Sequence, residues 1–391
     1  MNVLYMSTFY KPATSYGGPV RSVSLLCESL KRAGVDVVVY TTNANGERRL
    51  PVAPGEVVDI AGVPVRYFNL DHETYFFSSG MARAVQLDAG KFDLVVADSF
   101  FAHGLGSAVN ACRRAAIPYV IPPRGQLNRT ALSRKSLKKK MYLECFGRGW
   151  LEGAAGIHCT DVDEERAVRD LGINGRTFVV PNPVDMSRFG GSIDRSLGRT
   201  RLGGFAGETV FLFLGRLHPI KRPMWAVEAV GRLNAAGERV RLVMAGPDEG
   251  RMAGALRMRA GDLGLGEHFR WLGEVPDEEV PLLLSGADTL LMPSESENFG
   301  LAAAEALAMG LPVAATSGVP VGRQAAEVGA GFLCADDLGS FCEMVREVAR
   351  NRRRLSEMGA RGRTLVRERF EAGAVASQMI SQFQLCVKGN G

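Results

Sequence analysis

The strongest constraint on the fold of this chain is a regular alternation of short apolar runs with amphipathic stretches, punctuated by glycine. Residues 3–6 are an apolar run of strand length, and the segment 8–18 after them is polar and turn-rich. Tyr16-Gly17-Gly18-Pro19 then opens a stretch to Ala33 that sets Val23, Leu26, Cys27 and Leu30 on one helical face. Gly34 ends that stretch, and 35–41 is the next strand-like run. Three- and four-residue spacing buries one stripe of a helix, whereas a short continuous run buries both faces of a strand. A strand–helix–strand unit of this kind places its two strands in parallel. Further runs at 63–68, 94–97, 119–121, 156–159 and 177–180 extend the pattern, which predicts an α/β fold with a doubly wound parallel sheet.

From Pro181 the alternation breaks. Phe189-Gly190-Gly191 and the 202–207 stretch bracket a charged, glycine-rich segment that is expected to be an interdomain linker. A second alternation follows, with strands at 210–214, 240–245, 269–272, 289–292 and 312–315. At 391 residues the chain exceeds one ordinary core, so two domains of similar architecture are expected. The halves share no repeated sequence. The final segment, 374–388, spaces Val375, Met379, Phe383 and Val387 four apart, as in a helix with one apolar stripe.

Two carboxylates carry the most chemical information. Glu297 and Glu305 stand eight apart in Pro293-Ser294-Glu295-Ser296-Glu297-Asn298-Phe299-Gly300-Leu301-Ala302-Ala303-Ala304-Glu305. The first is expected in a loop after the 289–292 strand. The second is expected about one turn into a helix that Gly310 and Pro312 stop. Helical side chains lean toward the N-terminus, so Glu305 points back at the loop holding Glu297. The backbone N–H groups of Asn298, Phe299, Gly300 and Leu301 lie at that helix start, where an anion is stabilised. Phosphate wants amides and sugar hydroxyls want carboxylates, and a nucleotide sugar offers both. Upstream, the 210–214 strand runs into Gly215-Arg216-Leu217-His218-Pro219-Ile220-Lys221. Arg216 and Lys221 would then flank the carboxyl end of a parallel strand, where such sheets bind ligands and where two cations stabilise a departing diphosphate. His218 reads as a loop residue.

The Glu297–Glu305 spacing resembles the E-x7-E signature of retaining glycosyltransferase family 4, and Arg216 with Lys221 falls in that family's G-R-x4-K frame. The resemblance spans essentially the whole chain and is strongest over 209–320. It implies the GT-B architecture, two facing Rossmann-like domains with an interdomain cleft and a terminal helix that returns to the first domain. On that basis the domains are expected to be 1–188 with 374–391 on the acceptor side, and 189–373 on the nucleotide-sugar side. The resemblance further implies catalytic roles for Arg216, Lys221 and Glu297, with Glu305 on the ribose. It implies donor contacts from Gly17 and Gly18 at the first strand-to-helix turn, and from Gly246, Leu272 and Val275 around the base. Backbone contacts of that sort leave no code for uridine, guanosine or adenosine.

Other residues read less sharply. The family often carries a His where this chain has Pro123-Arg124-Gly125. Arg124 cannot act as a general base, but an acceptor phosphate or carboxylate suits it. Asp98 and His103, at and after a strand end, are further candidates to hold or deprotonate an acceptor hydroxyl, and equally suit structural roles. Asp161-Val162-Asp163 resembles a metal-binding D-x-D motif. It opens an acidic first turn before Ala167, Val168 and Leu171, so a helix cap is expected instead, with no metal and no cofactor. Arg129, Arg134, Lys135, Lys138, Lys139 and Lys140 form a basic run interleaved with Leu132, Leu137, Met141 and Leu143. It fits a solvated basic helix face, an anionic membrane surface, or an acidic or pyrophosphate-bearing acceptor; nucleic acid is disfavoured for lack of interleaved aromatics.

Seven scattered cysteines without metal-ligand spacing, no leader-like start and no apolar run of membrane length point to the cytoplasm, with peripheral attachment to the inner membrane face as an extension. The functional expectation is a retaining, metal-independent glycosyltransferase. It would move a sugar from a nucleotide-diphospho-sugar to a hydroxyl of a cell-surface glycan or lipid-linked acceptor. Two rivals stay open: a sugar-nucleotide epimerase of the same fold, and a non-catalytic nucleotide-sugar-binding protein.

Overall fold

A computed structural model of the chain describes residues 1–133, 136–191, 193–205 and 207–389. Its contacts divide into two units, Met1–Pro183 with Ala372–Gly391, and Val184–Glu371.

The first unit is built on strands β1 (Asn2–Met6), β2 (Asp36–Thr42), β3 (Val57–Ile60), β4 (Val63–Phe68), β5 (Leu94–Ala97), β6 (Tyr119–Ile121), β7 (Gly156–Cys159) and β8 (Thr177–Val179). Their order across the sheet is β8-β7-β6-β5-β1-β2-β4-β3. Every pairing is parallel except β3 with β4. Side chains alternate faces along a strand. Leu4 and Met6 accordingly enter the core on one face with Val95 and Ala97, while Val3 and Tyr5 enter the opposite core with Val37 and Val39. That second face is covered by the helix Gly18–Arg32, through Val23, Leu26, Cys27 and Leu30, and by the terminal helix Ala372–Lys388, through Val375, Met379, Phe383 and Cys386.

The second unit holds β9 (Thr209–Leu214), β10 (Val240–Ala245), β11 (Phe269–Trp271), β12 (Thr289–Met292), β13 (Val313–Thr316) and β14 (Gly331–Cys334), all parallel, in the order β11-β10-β9-β12-β13-β14. The winding direction reverses between β9 and β12, and an open parallel sheet binds ligands at the carboxyl ends of the strands beside such a reversal. In the first unit the corresponding neighbours are β1 and β5.

Three features differ from expectation. β3 and β14 are additional edge strands; β3 is largely exposed, so it lacks the continuous apolar run of a buried strand. The units part at Pro183/Val184 and Glu371/Ala372, because Val184 and Phe189 are buried in the second unit's core and Val184 N donates to Phe370 O at 2.7 Å. The expected linker contains a packed helix, Arg195–Arg201, capped by Asp194. Arg199 donates to Gly286 O at 2.8 Å and to Asp288 Oδ2 at 2.9 Å, and Leu202 is fully buried. Arg199 is thereby satisfied inside the unit. Among the described residues, no helix is long and apolar enough to cross a membrane.

Candidate functional site

In the second unit, the loops leaving the carboxyl ends of the strands are knitted together by backbone hydrogen bonds. Glu295 N, after β12, donates to Ile220 O, after β9, at 2.8 Å, and Glu297 N donates to Gly318 O, after β13, at 2.9 Å. Gly318 allows this approach, since a Cβ there would fall 2.2 Å from Glu295 O. His218 caps the short helix Pro219–Lys221, its Nδ1 accepting from Ile220 N at 3.2 Å. The result brings Lys221 to Glu297, with Nζ 2.5 Å from Oε1. Ser294 Oγ donates to the same carboxylate oxygen at 2.8 Å. The two side chains of the ion pair are 20% and 12% exposed, so the charges are sheltered yet reachable.

The helix after this loop spans Leu301–Met309, with Gly300 before it at φ 95°. A left-handed residue is available to glycine at little cost, and it turns the chain into the helix without a capping side chain. The first backbone N–H groups of a helix have no intrahelical partner. Phe299 contributes only backbone here: its ring is buried and meets Phe370 edge-on at 5.2 Å. Asn298 and Leu301 are half-buried. Glu305 is only 3% exposed. Arg188 Nη1 lies 3.8 Å from its Oε1, and Arg188 Nη2 also donates to Asp277 O at 2.7 Å. Sequence reasoning did not single out Arg188, Ser294 or Gly318. Their signals lie in tertiary contacts rather than in spacing.

Arg216 stands apart from the Lys221–Glu297 pair and meets Glu249 Oε2 at 2.5 Å, with both side chains about half exposed. An exposed pair of this sort contributes little and is readily exchanged for a phosphate. Gly246 occupies a tighter position. Its N donates to Gly273 O at 2.7 Å and its carbonyl accepts from Trp271 Nε1 at 3.0 Å. A Cβ on it would fall 2.1 Å from Gly215 O, at φ 138°. Leu272 and Val275 are partly buried, their side chains packed against the core.

In the first unit, Gly17 lies in open space at φ 58° before the helix Gly18–Arg32. Arg124 is almost fully buried. It donates through Nε to Asp98 Oδ2 at 3.2 Å, through Nη1 to Asn182 Oδ1 at 2.8 Å and through Nη2 to Tyr5 OH at 2.7 Å. Burial works against its charge, and Tyr5 and Asp98 more than offset this, so its pKa is held above the ordinary value. Arg124 thereby ties together the carboxyl ends of β1, β5, β6 and β8. Asp98 is committed to Arg124 and to Ser99 N at 2.6 Å. Neither group is presented to solvent, which favours a structural role over acceptor contact. Burial raises the Glu164 pKa; that carboxylate accepts from Gly125 N and from Thr160 N at 2.7 Å. His103 is exposed, edge-on to Phe77 at 4.3 Å, and partial burial lowers its pKa. Asp161 caps the helix Val162–Asp170, accepting from Asp163 N at 2.9 Å.

Of the basic run, Arg134 and Lys135 lie outside the described residues. Lys139 turns inward, donating to Ala131 O at 2.6 Å and lying 5.1 Å from the centre of the Phe101 ring. Lys138 and Lys140 are exposed, and so are Leu137, Met141 and Phe146.

The chain matches two family models, "Glycosyl transferase 4-like domain" over residues 17–183 and "Glycosyl transferases group 1" over residues 198–365. It is similar to the D-inositol 3-phosphate glycosyltransferase of Nocardia farcinica, 25% identical over 377 residues that cover 92% of this chain and 83% of that protein. The enzyme of the same name from Geodermatophilus obscurus is 37% identical over 149 residues, 36% of this chain and 33% of that protein. Among solved structures, sucrose-phosphate synthase from Thermosynechococcus elongatus superposes with a TM-score of 0.82 at 20% identity, over 100% of both chains. The Anabaena protein HepE in complex with UDP and glucose gives 0.76 at 20% identity, over 98% of this chain and 99% of that one. These likenesses show the GT-B fold.

Proposed function

The chain belongs to the group 1, family-4-like glycosyltransferases of GT-B fold, and from that premise we propose that it transfers a sugar from a nucleotide-diphospho-sugar with retention of configuration and without a metal. The observation that carries this reading is the Lys221–Glu297 pair at 2.5 Å, beside a glycine-led helix start and the buried Glu305, all within one unit. Glu305 binds the ribose hydroxyls, with Arg188 orienting its carboxylate. The diphosphate takes the helix-start amides and Lys221, which exchanges part of its bond to Glu297 for phosphate oxygen. Glu297, so released, holds hydroxyls of the donor sugar. Arg216 leaves Glu249 to meet the departing diphosphate. The acceptor hydroxyl attacks from the face the diphosphate leaves; the new glycosidic bond forms as the sugar–phosphate bond breaks, and the leaving phosphate oxygen takes the hydroxyl proton. The UDP bound by the Anabaena neighbour supports a nucleotide donor.

The acceptor in this reading is a glycan or lipid-linked hydroxyl at a cytoplasmic membrane face. Support comes from exposed Leu137, Met141 and Phe146 alongside Lys138 and Lys140, apolar and cationic groups that suit an anionic bilayer surface.

Screening a nucleotide-sugar panel for raised thermal midpoint identifies the donor, because a bound ligand stabilises the folded state by mass action. With that donor, Glu305→Ala weakens donor binding, while Arg216→Ala lowers turnover more than affinity. Equal effects on both parameters from both changes would contradict this division of roles. Epimerised donor formed without any acceptor would favour an isomerase instead.

A further inference from the structure

We propose that the second unit carries a separate binding site for a phosphate-bearing small molecule, at the amino end of its sheet, the opposite edge from Lys221 and Glu297. A cavity of about 560 Å3 opens there, lined by residues that precede β12 and β13, Asp288, Leu311 and Pro312 among them. This volume falls within the roughly 300–1,000 Å3 of small-molecule sites. Its floor is apolar, with Leu284, Met309, Leu311 and Pro312. Four arginines line it, Arg195, Arg352, Arg353 and Arg363, against one carboxylate, Asp288.

The charges in this cavity do not balance. Asp288 is already engaged by Arg195 at 2.6 Å, by Arg199 at 2.9 Å and by Val210 N at 2.8 Å, and none of the other three lining arginines is paired with it. Arg352 donates to Gly207 O at 2.9 Å and Glu208 O at 3.0 Å, and Arg363 donates to Met309 O at 3.4 Å. Neutral carbonyls orient these cations without discharging them. Arg353 is exposed, with no carboxylate within ion-pair distance among the described residues. Arg363 is exposed, with its guanidinium over Gly310, where a Cβ would fall 1.8 Å from Nη1. Like charges that line one cavity repel, and a multivalent oxyanion relieves that repulsion while matching the bidentate fork of a guanidinium. The limited volume and the apolar floor select a small phosphorylated molecule over a flat macromolecular surface. An occupant would rest against Met309, the last residue of the helix that presents Glu305.

Inorganic pyrophosphate is the probe, titrated calorimetrically into the full chain and into Arg353→Ala, Arg363→Gln and Lys221→Ala variants. Because the donor site would itself take a diphosphate, each arginine change is compared with its parent in the Lys221→Ala background. The expected result is binding to the wild type and to Lys221→Ala, the latter weakened at least tenfold by each added arginine change. The thermal midpoint of Arg353→Ala without ligand stays that of the wild type, which separates lost binding from lost folding. No binding to the wild type overturns the proposal. So does binding that Lys221→Ala abolishes and both arginine variants keep, since the probe would then occupy the donor site. The readout is binding rather than transfer, so it fails or succeeds independently of the donor-site reading.

Discussion

Replacing Lys221 by alanine tests the donor-site reading through two independent measurements. The Lys221 ammonium is 2.5 Å from Glu297 Oε1, and both side chains are mostly sheltered. Removing it leaves the carboxylate with the Ser294 hydroxyl as its named side-chain donor. Stripping one partner from a half-buried charged hydrogen bond costs on the order of 1–3 kcal/mol of folding stability. The catalytic loss is expected to be larger in consequence: removing one preorganised group that stabilises developing charge costs about 10²–10³ in turnover, about 2.7–4 kcal/mol. Turnover is measured as acceptor-dependent release of nucleoside diphosphate at saturating donor, and stability by chemical denaturation. A double-mutant cycle with Glu297→Ala completes the test. The double variant should lose less stability than the two single variants summed, because neither partner is then left uncompensated. Turnover of Lys221→Ala within tenfold of the wild type would refute the placement of Lys221 beside the leaving group.

Three further outcomes are expected. Gly246→Ala puts a Cβ 2.1 Å from Gly215 O at a backbone angle disfavoured for alanine, and should destabilise by about 3 kcal/mol or more in denaturant titration. Arg124→Met leaves Asp98 buried without its cation and should cost about 3–5 kcal/mol; unchanged stability with lost activity would instead assign Arg124 to the acceptor. His158 is buried against Val180 O at 2.8 Å, and burial lowers its pKa to about 3. The unfolded chain therefore binds a proton that the folded chain refuses, so this contribution is complete above about pH 6.5 and declines below it. Between pH 7.5 and 5.5 the wild type should lose about 1.4 kcal/mol more stability than His158→Gln, and equal losses would contradict the buried neutral imidazole.

The double winding was legible because strands buried on both faces are continuous apolar runs, as 94–97 and 210–214 are. Edge strands lack that signature, which is why β3 and β14 escaped notice. The spacing of Glu297 and Glu305 located the loop and the helix, but nothing in the spacing showed that Ile220 and Gly318 clamp the loop to its neighbours. Arginine is ordinarily a surface residue, so the burial of Arg124 was hidden until Asp98, Asn182 and Tyr5 came together from distant positions. The same logic hid Arg199 inside the stretch expected to be a linker, because its partner Asp288 lies far along the chain. Apolar patterning announces itself locally, whereas a buried charge is recognised only by the partner that neutralises it.

The helix Ala372–Lys388 belongs to the first unit although the whole second unit precedes it in the chain. During synthesis, the apolar surface made by Leu26, Leu30 and Phe178 emerges from the ribosome long before Val375, Met379 and Phe383 exist to cover it. The second unit, one continuous stretch, can complete itself first. A chain cut short after residue 371 would therefore present a finished second unit joined to an unsealed first one, a species suited to chaperone capture or aggregation rather than to partial activity.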